Sequence, residues 1–307
     1  MLNRVTGLNR VMGLGRLAGL DRVTGLDRYA VVGHPVDHSL SPTLHAAFAR
    51  QTGQRMRYDL LPAPLAGFAD VAAAFFAAGG SGLNVTVPFK EQAAQFVDSC
   101  DAGAHAAGAV NTIRVLGGSG AKPRTEGLNT DGVGLIADLQ TNLGWALRDK
   151  HILLLGAGGA ARGALVALLG QGCASVTIAN RTLARARALV QDLAAATTDV
   201  QTLPAVCELA DLAEPVDVVI NATAASLAGK GDLVAPLVVE GARCYDMLYA
   251  AAETEFCRWA QANGALATSD GLGMLVEQAA EAFYLWRDVR PDSRAVLDQR
   301  DQLFAGL

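Results

Sequence analysis

The run His151-Ile152-Leu153-Leu154-Leu155-Gly156-Ala157-Gly158-Gly159-Ala160-Ala161 decides the fold. Its first five residues are a buried-strand pattern that passes directly into a GxGxxA loop. Gly156 permits the tight turn, Gly158 lets the backbone approach a pyrophosphate, and the small Ala161 lets a helix pack closely on the strand. A helix over 160–169 then offers its N-terminal N–H groups and dipole to the phosphates. Ser175–Ala179 reads as the next strand and completes a βαβ unit, the context in which such a loop binds a dinucleotide. Val216–Asn221 and Arg243–Asp246 add two further strands.

The end of the second strand chooses the nucleotide. NAD sites usually hold an acidic residue there, on the ribose 2′-hydroxyl. This chain has Asn180-Arg181-Thr182-Leu183-Ala184-Arg185 instead. Two guanidinium groups and no acid favour the 2′-phosphate of NADP, because the planar fork of arginine suits phosphate oxygens.

Upstream, Tyr29–Val32, Tyr58–Leu61, Leu83–Val87 and Ala109–Val115 read as strands. Ser41-Pro42 opens a helix, with Ser41 as its N-cap and proline at the first helical position. A short apolar helix is expected over 71–78, and another from Asp131 to Leu143. Strands alternating with helices point to an α/β architecture, and the expected layout is two domains with a cleft between them.

Composition agrees. The 307 residues suffice for about two domains, and 51% hydrophobic content argues against disorder. A net charge of −5 provides no general attraction for nucleic acid or anionic membrane. Val71–Phe89 lacks charge over 19 residues, but its glycines, Asn84, Thr86 and Pro88 fit a helix, turn and strand better than a membrane span. The five cysteines are an odd number without a CxxC pair, as in a reduced, cytoplasmic protein. His34, His38 and His45 read as loop histidines rather than metal ligands; no metal is expected, since no nearby Cys or Glu completes a shell.

Residues 1–28 are a strict hexapeptide repeat, Leu-x-Arg-x-x-Gly, with Leu at 2, 8, 14, 20 and 26 and Arg at 4, 10, 16, 22 and 28. A few six-residue copies cannot bury a core, so this segment is expected to be a flexible extension, with order beginning at Tyr29. An arginine every six residues also breaks the apolar run that a signal peptide needs.

A nicotinamide cofactor requires a group that moves the proton of the reacting hydroxyl. Lys90, Asp131 and the histidines are the candidates in the first half. Lys90 follows a strand exit and Asp131 opens the segment leading into the nucleotide domain, so both can reach the cleft.

The chain resembles the shikimate dehydrogenase family. The resemblance rests on Ser39-Leu40-Ser41-Pro42, Asn84-Val85-Thr86-Val87-Pro88-Phe89-Lys90, Gly108–Thr112, Gly127-Leu128-Asn129-Thr130-Asp131-Gly132, Gly156–Ala161, Asn180-Arg181-Thr182, Asn221-Ala222-Thr223, Tyr245-Asp246-Met247 and Asp270–Leu275, in family order. It implies NADPH-dependent, reversible reduction of 3-dehydroshikimate to shikimate, a step of aromatic amino acid biosynthesis, with Lys90 as general acid/base and Asp131 as its partner. It assigns Ser39 and Ser41 to the substrate carboxylate. It assigns Asn84, Thr86, Asn111, Asp131, Tyr249 and Gln278 to the ring hydroxyls. Gly156, Ala157, Gly158, Gly159, Ala160, Asn180, Arg181, Thr182, Arg185 and Thr223 would hold NADP, with Met247 and Gly271 on the nicotinamide side. Gln278 lies on a helix that must return to the first domain. The substrate domain is thus 29–130 completed by 266–307, and the Rossmann-type NADP-binding domain is 131–265. Ser226 stands where the family often has glycine. The implied partners are small molecules, for a monomer or homodimer. Two alternatives stay open: a quinate/shikimate paralogue using NAD, and a non-catalytic NADP-binding regulator on the same scaffold.

Overall fold

A computed structural model describes residues 25–117, 123–196, 203–212, 214–225, 229 and 231–304. Most of the hexapeptide repeat, residues 1–24, lies outside the described residues, as does Ser226.

Two six-stranded sheets organise the chain. The first contains β1 (Asp27–Gly33), β2 (Met56–Pro62), β3 (Gly80–Val85), β4 (Ser99–Cys100), β5 (Thr112–Gly117) and β6 (Arg124–Leu128), in the order β2-β1-β3-β5-β6-β4. β1 runs parallel to β2 and β3, and β5 is antiparallel to both β3 and β6. Helices α1 (Ser41–Thr52), α2 (Phe68–Ala77), α3 (Lys90–Phe96) and α4 (Ala102–Ala107) connect these strands. Phe68, Phe75, Phe76 and Phe89 pack on Leu83, Val85 and Ile113 to form the core of this half.

The second sheet contains β7 (His151–Leu155), β8 (Ser175–Ala179), β9 (Ala205–Cys207), β10 (Val218–Asn221), β11 (Arg243–Asp246) and β12 (Ala267–Asp270). All its strands are parallel, in the order β12-β11-β10-β7-β8-β9. This is a doubly wound sheet with β7 at the point where strand order reverses. Both faces are covered, which explains the unbroken apolar run of β7. Ile152 and Leu154 join the core on one face, while Leu153 and Leu155 join the core on the other.

Between the sheets run α5 (Asp131–Ala137) and a π-helical turn over Asp138–Asn142, followed after β7 by α6 (Gly159–Leu169) and after β8 by α7 (Leu183–Ala196). The single helix expected to Leu143 therefore changes its winding at Asp138. The Asp138 carboxylate there accepts from the buried Tyr245 hydroxyl at 2.6 Å and from Asn142 Nδ2 at 3.0 Å. Helices α8 (Pro236–Val239) and α9 (Glu255–Ala262) flank β11. Helix α10 (Leu272–Arg287) returns from the second sheet to α1, where Leu272, Val276, Ala279 and Phe283 pack on Leu40, Leu44 and Phe48.

Several expected boundaries move. Asp27 and Arg28, expected in the extension, lie in β1. Arg28 is buried and donates to the Ala78 carbonyl. Ser41 is the first residue of α1 and Leu40 is its N-cap, so Ser41 does not cap the helix with its side chain. The second sheet continues to Asp270, so β12 belongs with the nucleotide half although it follows residue 265. Strands β4 and β6 were not expected from the sequence. Each gains its strand character from pairing: β6 with β5, and the two-residue β4 with β6.

Candidate active site

The Lys90–Asp131 pair stands at two helix starts. Lys90 is the first residue of α3, and Phe89 before it is fully buried against Phe68. Asp131 is the first residue of α5, where the helix dipole favours a carboxylate. The Lys90 Nζ atom lies 2.6 Å from Asp131 Oδ2, and both side chains are largely buried. Asp131 Oδ1 accepts from Asn111 Nδ2 at 2.7 Å. The Lys90 carbonyl accepts from the Val110 N–H at 2.9 Å, which anchors the start of α3 to the segment carrying Asn111.

A polar network extends from this pair across the first sheet. Asn111 Nδ2 also reaches Thr130 Oγ1 at 3.0 Å and Gln278 Oε1 at 3.3 Å. Thr130 Oγ1 donates to Gln278 Oε1 at 3.2 Å, so α10 joins the site across 148 residues of sequence. Asn84 Nδ2 donates to the Asn111 carbonyl at 3.1 Å and to Thr112 Oγ1 at 3.0 Å. Asn84 Oδ1 accepts from the Tyr58 hydroxyl at 2.7 Å. Ser39 Oγ donates to Ser41 Oγ at 3.1 Å, pairing the two hydroxyls at the entry to α1. Burial raises the Tyr249 phenol, with the Leu40 backbone between the two serines opposing the shift. Thr86 is half-buried in the turn between β3 and α3, fixed by its N–H to the Val32 carbonyl.

The nucleotide side meets this network at the glycine loop. Gly156 has φ +110°, a conformation that favours glycine, and a Cβ there would lie 3.1 Å from the Ala222 carbonyl. A Cβ on Gly158 would meet nothing within 4 Å, which leaves an open cradle at the N-terminus of α6. A Cβ on Gly159 would lie 3.4 Å from Lys90 Cβ, so the loop touches the Lys90 stem. Open backbone at a helix start fits a pyrophosphate. The Gly156 N–H donates to the Ala179 carbonyl at 2.8 Å, placing the loop beside the strand end that carries Asn180. Asn180 Nδ2 donates to the Thr182 carbonyl at 2.9 Å; Arg181 in this turn and Arg185 in the first turn of α7 are both exposed. The Thr223 N–H and hydroxyl both donate to Asn221 Oδ1, which turns the chain against Gly156. Gly271 faces Met247, whose carbonyl oxygen would lie 2.4 Å from an added Cβ.

Lys90, Asp131, Asn111, Gln278 and Asn84 are therefore joined by hydrogen bonds, while Arg181 and Arg185 stand apart at the end of β8. Sequence reasoning missed Tyr58, Thr112 and Thr130. Thr112 and Thr130 lie inside the quoted motifs, each next to a residue singled out there, Asn111 and Asp131, and that adjacency was the available signal. Tyr58 had no such signal, being one of several apolar residues of β2. His45 also departs from its loop reading: it is fully buried on α1. His34 Nδ1 contacts the Ala63 carbonyl at 2.9 Å. Among the described residues no group of three His, Cys, Asp or Glu is arranged to hold a metal, and no helix is long and apolar enough to cross a membrane.

Three family models match the chain: shikimate dehydrogenase substrate binding domain over residues 31–113, shikimate / quinate 5-dehydrogenase over 138–229, and shikimate 5′-dehydrogenase C-terminal domain over 271–299. A shikimate dehydrogenase (NADP(+)) of Alkalilimnicola ehrlichii is 52% identical over 274 residues, covering 88% of this chain and 96% of the relative. A protein of the same name from Aromatoleum aromaticum is 53% identical over 271 residues, covering 88% and 95%. The fold is similar to a shikimate 5-dehydrogenase from Thermus thermophilus solved with NADP(H) and shikimate. That match has a TM-score of 0.75 and 30% identity, covering 91% of this chain and all of that one.

Proposed function

The chain belongs to the shikimate dehydrogenase family, and we propose that it catalyses the reversible NADPH-dependent reduction of 3-dehydroshikimate to shikimate. The observation that carries this reading is the Lys90–Asp131 pair at 2.6 Å, set against the glycine loop and tied to Asn111, Thr130 and Gln278. Bound NADPH supplies the hydride. Lys90 gives its proton to the substrate oxygen as the carbonyl becomes an alcohol, and takes it back in the reverse direction. Asp131 orients the ammonium group through one carboxylate oxygen while Asn111 holds the other, which fixes the proton donor before substrate arrives.

Ser39 and Ser41 receive the substrate carboxylate as hydroxyl donors. Asn84, Thr86, Asn111, Asp131, Tyr249 and Gln278 face the ring hydroxyls. A site built from such groups rejects an analogue that lacks a hydroxyl, because its polar atoms then go unpaired. Gly156, Ala157, Gly158, Gly159 and Ala160 hold the pyrophosphate. Asn180, Arg181, Thr182 and Arg185 hold the 2′-phosphate. Thr223, Met247 and Gly271 border the nicotinamide. Every residue assigned a role here belongs to one chain, a reading that suits a monomer or a homodimer. The five free cysteine thiols fit a cytoplasmic enzyme.

The test is a spectrophotometric assay of shikimate and quinate, each with NADP and with NAD. Shikimate with NADP is expected to be the best pair; faster turnover of quinate with NAD supports the paralogue instead. Lys90→Ala is expected to lower kcat by about 10²- to 10⁴-fold, the range of general acid/base catalysis, with NADP binding retained. A near-normal kcat would remove Lys90 from the proton step.

A further inference from the structure

One buried group of the substrate half takes no part in the chemistry above. His45 lies four residues after Ser41 on α1, so both side chains leave the same face of the helix. Its imidazole lies flat on the Tyr58 ring, with centroids 4.1 Å apart and planes 7° from parallel. Phe48, Trp286 and Phe283 surround it at 6.0, 5.5 and 6.2 Å. Neither ring nitrogen has a partner in hydrogen-bonding geometry among the described residues. Complete burial pushes its pKa down to about 3, with the Asn84 side chain opposing, so the ring is neutral at any working pH. A buried polar group left unpaired costs stability, so its place needs a reason other than a hydrogen bond. A neutral ring without a bond acts through its flat shape.

Tyr58 is where that shape is used. Its hydroxyl donates to Asn84 Oδ1, while both N–H groups of Asn84 are spent on the Asn111 carbonyl and Thr112. Three bonds thus fix the amide and leave its oxygen one open lone pair. Burial raises the Tyr58 phenol well above its usual value, with the Ser41 side chain opposing. The phenol therefore stays protonated and remains a donor.

We propose that Tyr58, clamped flat by His45, is a positioning residue for substrate recognition. It holds Asn84 with its carbonyl oxygen as the only free hydrogen-bonding site of the amide, aimed at a donor hydroxyl of the ligand. It also links that contact to the Ser39–Ser41 pair at the carboxylate end. This inference rests on the reading of the substrate as shikimate.

The test compares Tyr58→Phe, His45→Ala and His45→Phe in the full chain, by calorimetric titration of shikimate and by steady-state kinetics. Tyr58→Phe removes one oxygen and keeps the ring. It is expected to weaken shikimate binding and raise its KM about fivefold to tenfold, the scale of one hydrogen bond, with kcat within about twofold and the KM for NADP unchanged. His45→Ala removes the plate and is expected to give the same pattern. His45→Phe restores the plate, loses no hydrogen bond, and is expected to return shikimate binding most of the way. Unchanged shikimate binding in Tyr58→Phe overturns the proposal. So does a parallel rise in the KM for both substrates, or a His45→Phe protein as impaired as His45→Ala. Should His45→Ala not fold, Tyr58→Phe and His45→Phe still decide. A wild-type protein that neither binds nor oxidises shikimate overturns the functional reading and this inference together; wild-type turnover with an unaffected Tyr58→Phe overturns this inference alone.

Discussion

Arg181 and Arg185 follow β8 at the strand exit, and both side chains stand in solvent rather than in ion pairs with the second sheet. Their value to the folded chain is small, so their removal isolates recognition from stability. Each charge-assisted bond to a phosphate is worth about 1.5–3 kcal/mol, so Arg181→Ala with Arg185→Ala is expected to raise the KM for NADP about 10- to 100-fold or more. The KM for NAD, which lacks the 2′-phosphate, is expected to change less than about threefold. Equal effects on both cofactors would show that these guanidinium groups do not read the phosphate. Such residues stand out in the sequence as candidates because their chemistry is local: a strand end, a missing acid and two arginines within five positions. Lys90 and Asp131 were legible as cleft candidates, one after a strand and one before a helix, but only the fold joins them across 41 residues. Tyr58 and His45 were not legible. Their roles depend on a flat stack between β2 and α1, and nothing in either local sequence announces the partner.

The elements were read well where one physical signal governed each. The run before the glycine loop gave β7 its bounds because a parallel strand buried on both faces needs unbroken apolar residues. Ser41-Pro42 placed the start of α1 within one residue, yet the cap was misassigned: the Ser41 N–H donates to Ser39 Oγ at 3.3 Å, and Ser41 lies inside the helix. The π-helical turn after α5 was hidden for a different reason. Asp138 is drawn to Tyr245, 107 residues away, and burial raises its carboxyl above the usual range. Gly273, at the second position of α10, is the complement of that turn. A Cβ there would stand 1.9 Å from Asp138 Oδ1 and 2.3 Å from its Cγ. Asp138 has no room to yield without losing Tyr245 or Asn142. Gly273→Ala is therefore expected to cost about 2 kcal/mol or more, lowering Tm by about 5 °C or more in a melting experiment. Gly170→Ala makes a control, since a Cβ there meets only the Ala167 carbonyl at 3.5 Å. A Gly273→Ala protein that melts with the control would show that the turn at Asp138 relaxes freely.

At the scale of the whole molecule, the first sheet is closed by both ends of the chain. Helix α10 leaves the second sheet at Gly271, carries Gln278 into the polar network, and ends with Arg287 bonded to Asp27 and Tyr29 of β1. The return of this helix was foreseen from the need to bring Gln278 to the substrate. The start of β1 was not, because a repeat that reads as one segment hides the point where the strand begins within it. Arg28 continues the six-residue period, yet its side chain is 5% exposed, sits 5.6 Å over the Phe75 ring and donates to the Ala78 carbonyl at 3.2 Å. Asp27 forms an ion pair with Arg287, and Asp27 and Arg28 pair with β2 in register, opposite Met56 and Arg57. Two proteins isolate what Asp27 and Arg28 contribute to the strand: one beginning at Gly25 and one beginning at Tyr29, each preceded by a start methionine. The shorter protein loses two rungs of ladder, a buried guanidinium and a link between β1 and α10. Losing a buried network of this kind costs about 2–3 kcal/mol, so it is expected to melt about 5–10 °C below the longer one. Because Arg287 also donates to the Tyr29 hydroxyl at 3.3 Å and to Gln54, the loss should loosen the end of α10 and leave Gln278, more than two turns away, in place. The KM for shikimate is then expected to stay within about twofold while Tm falls. Equal melting temperatures would mean that the fold begins at Tyr29 and that the contacts of Asp27 and Arg28 contribute nothing to it.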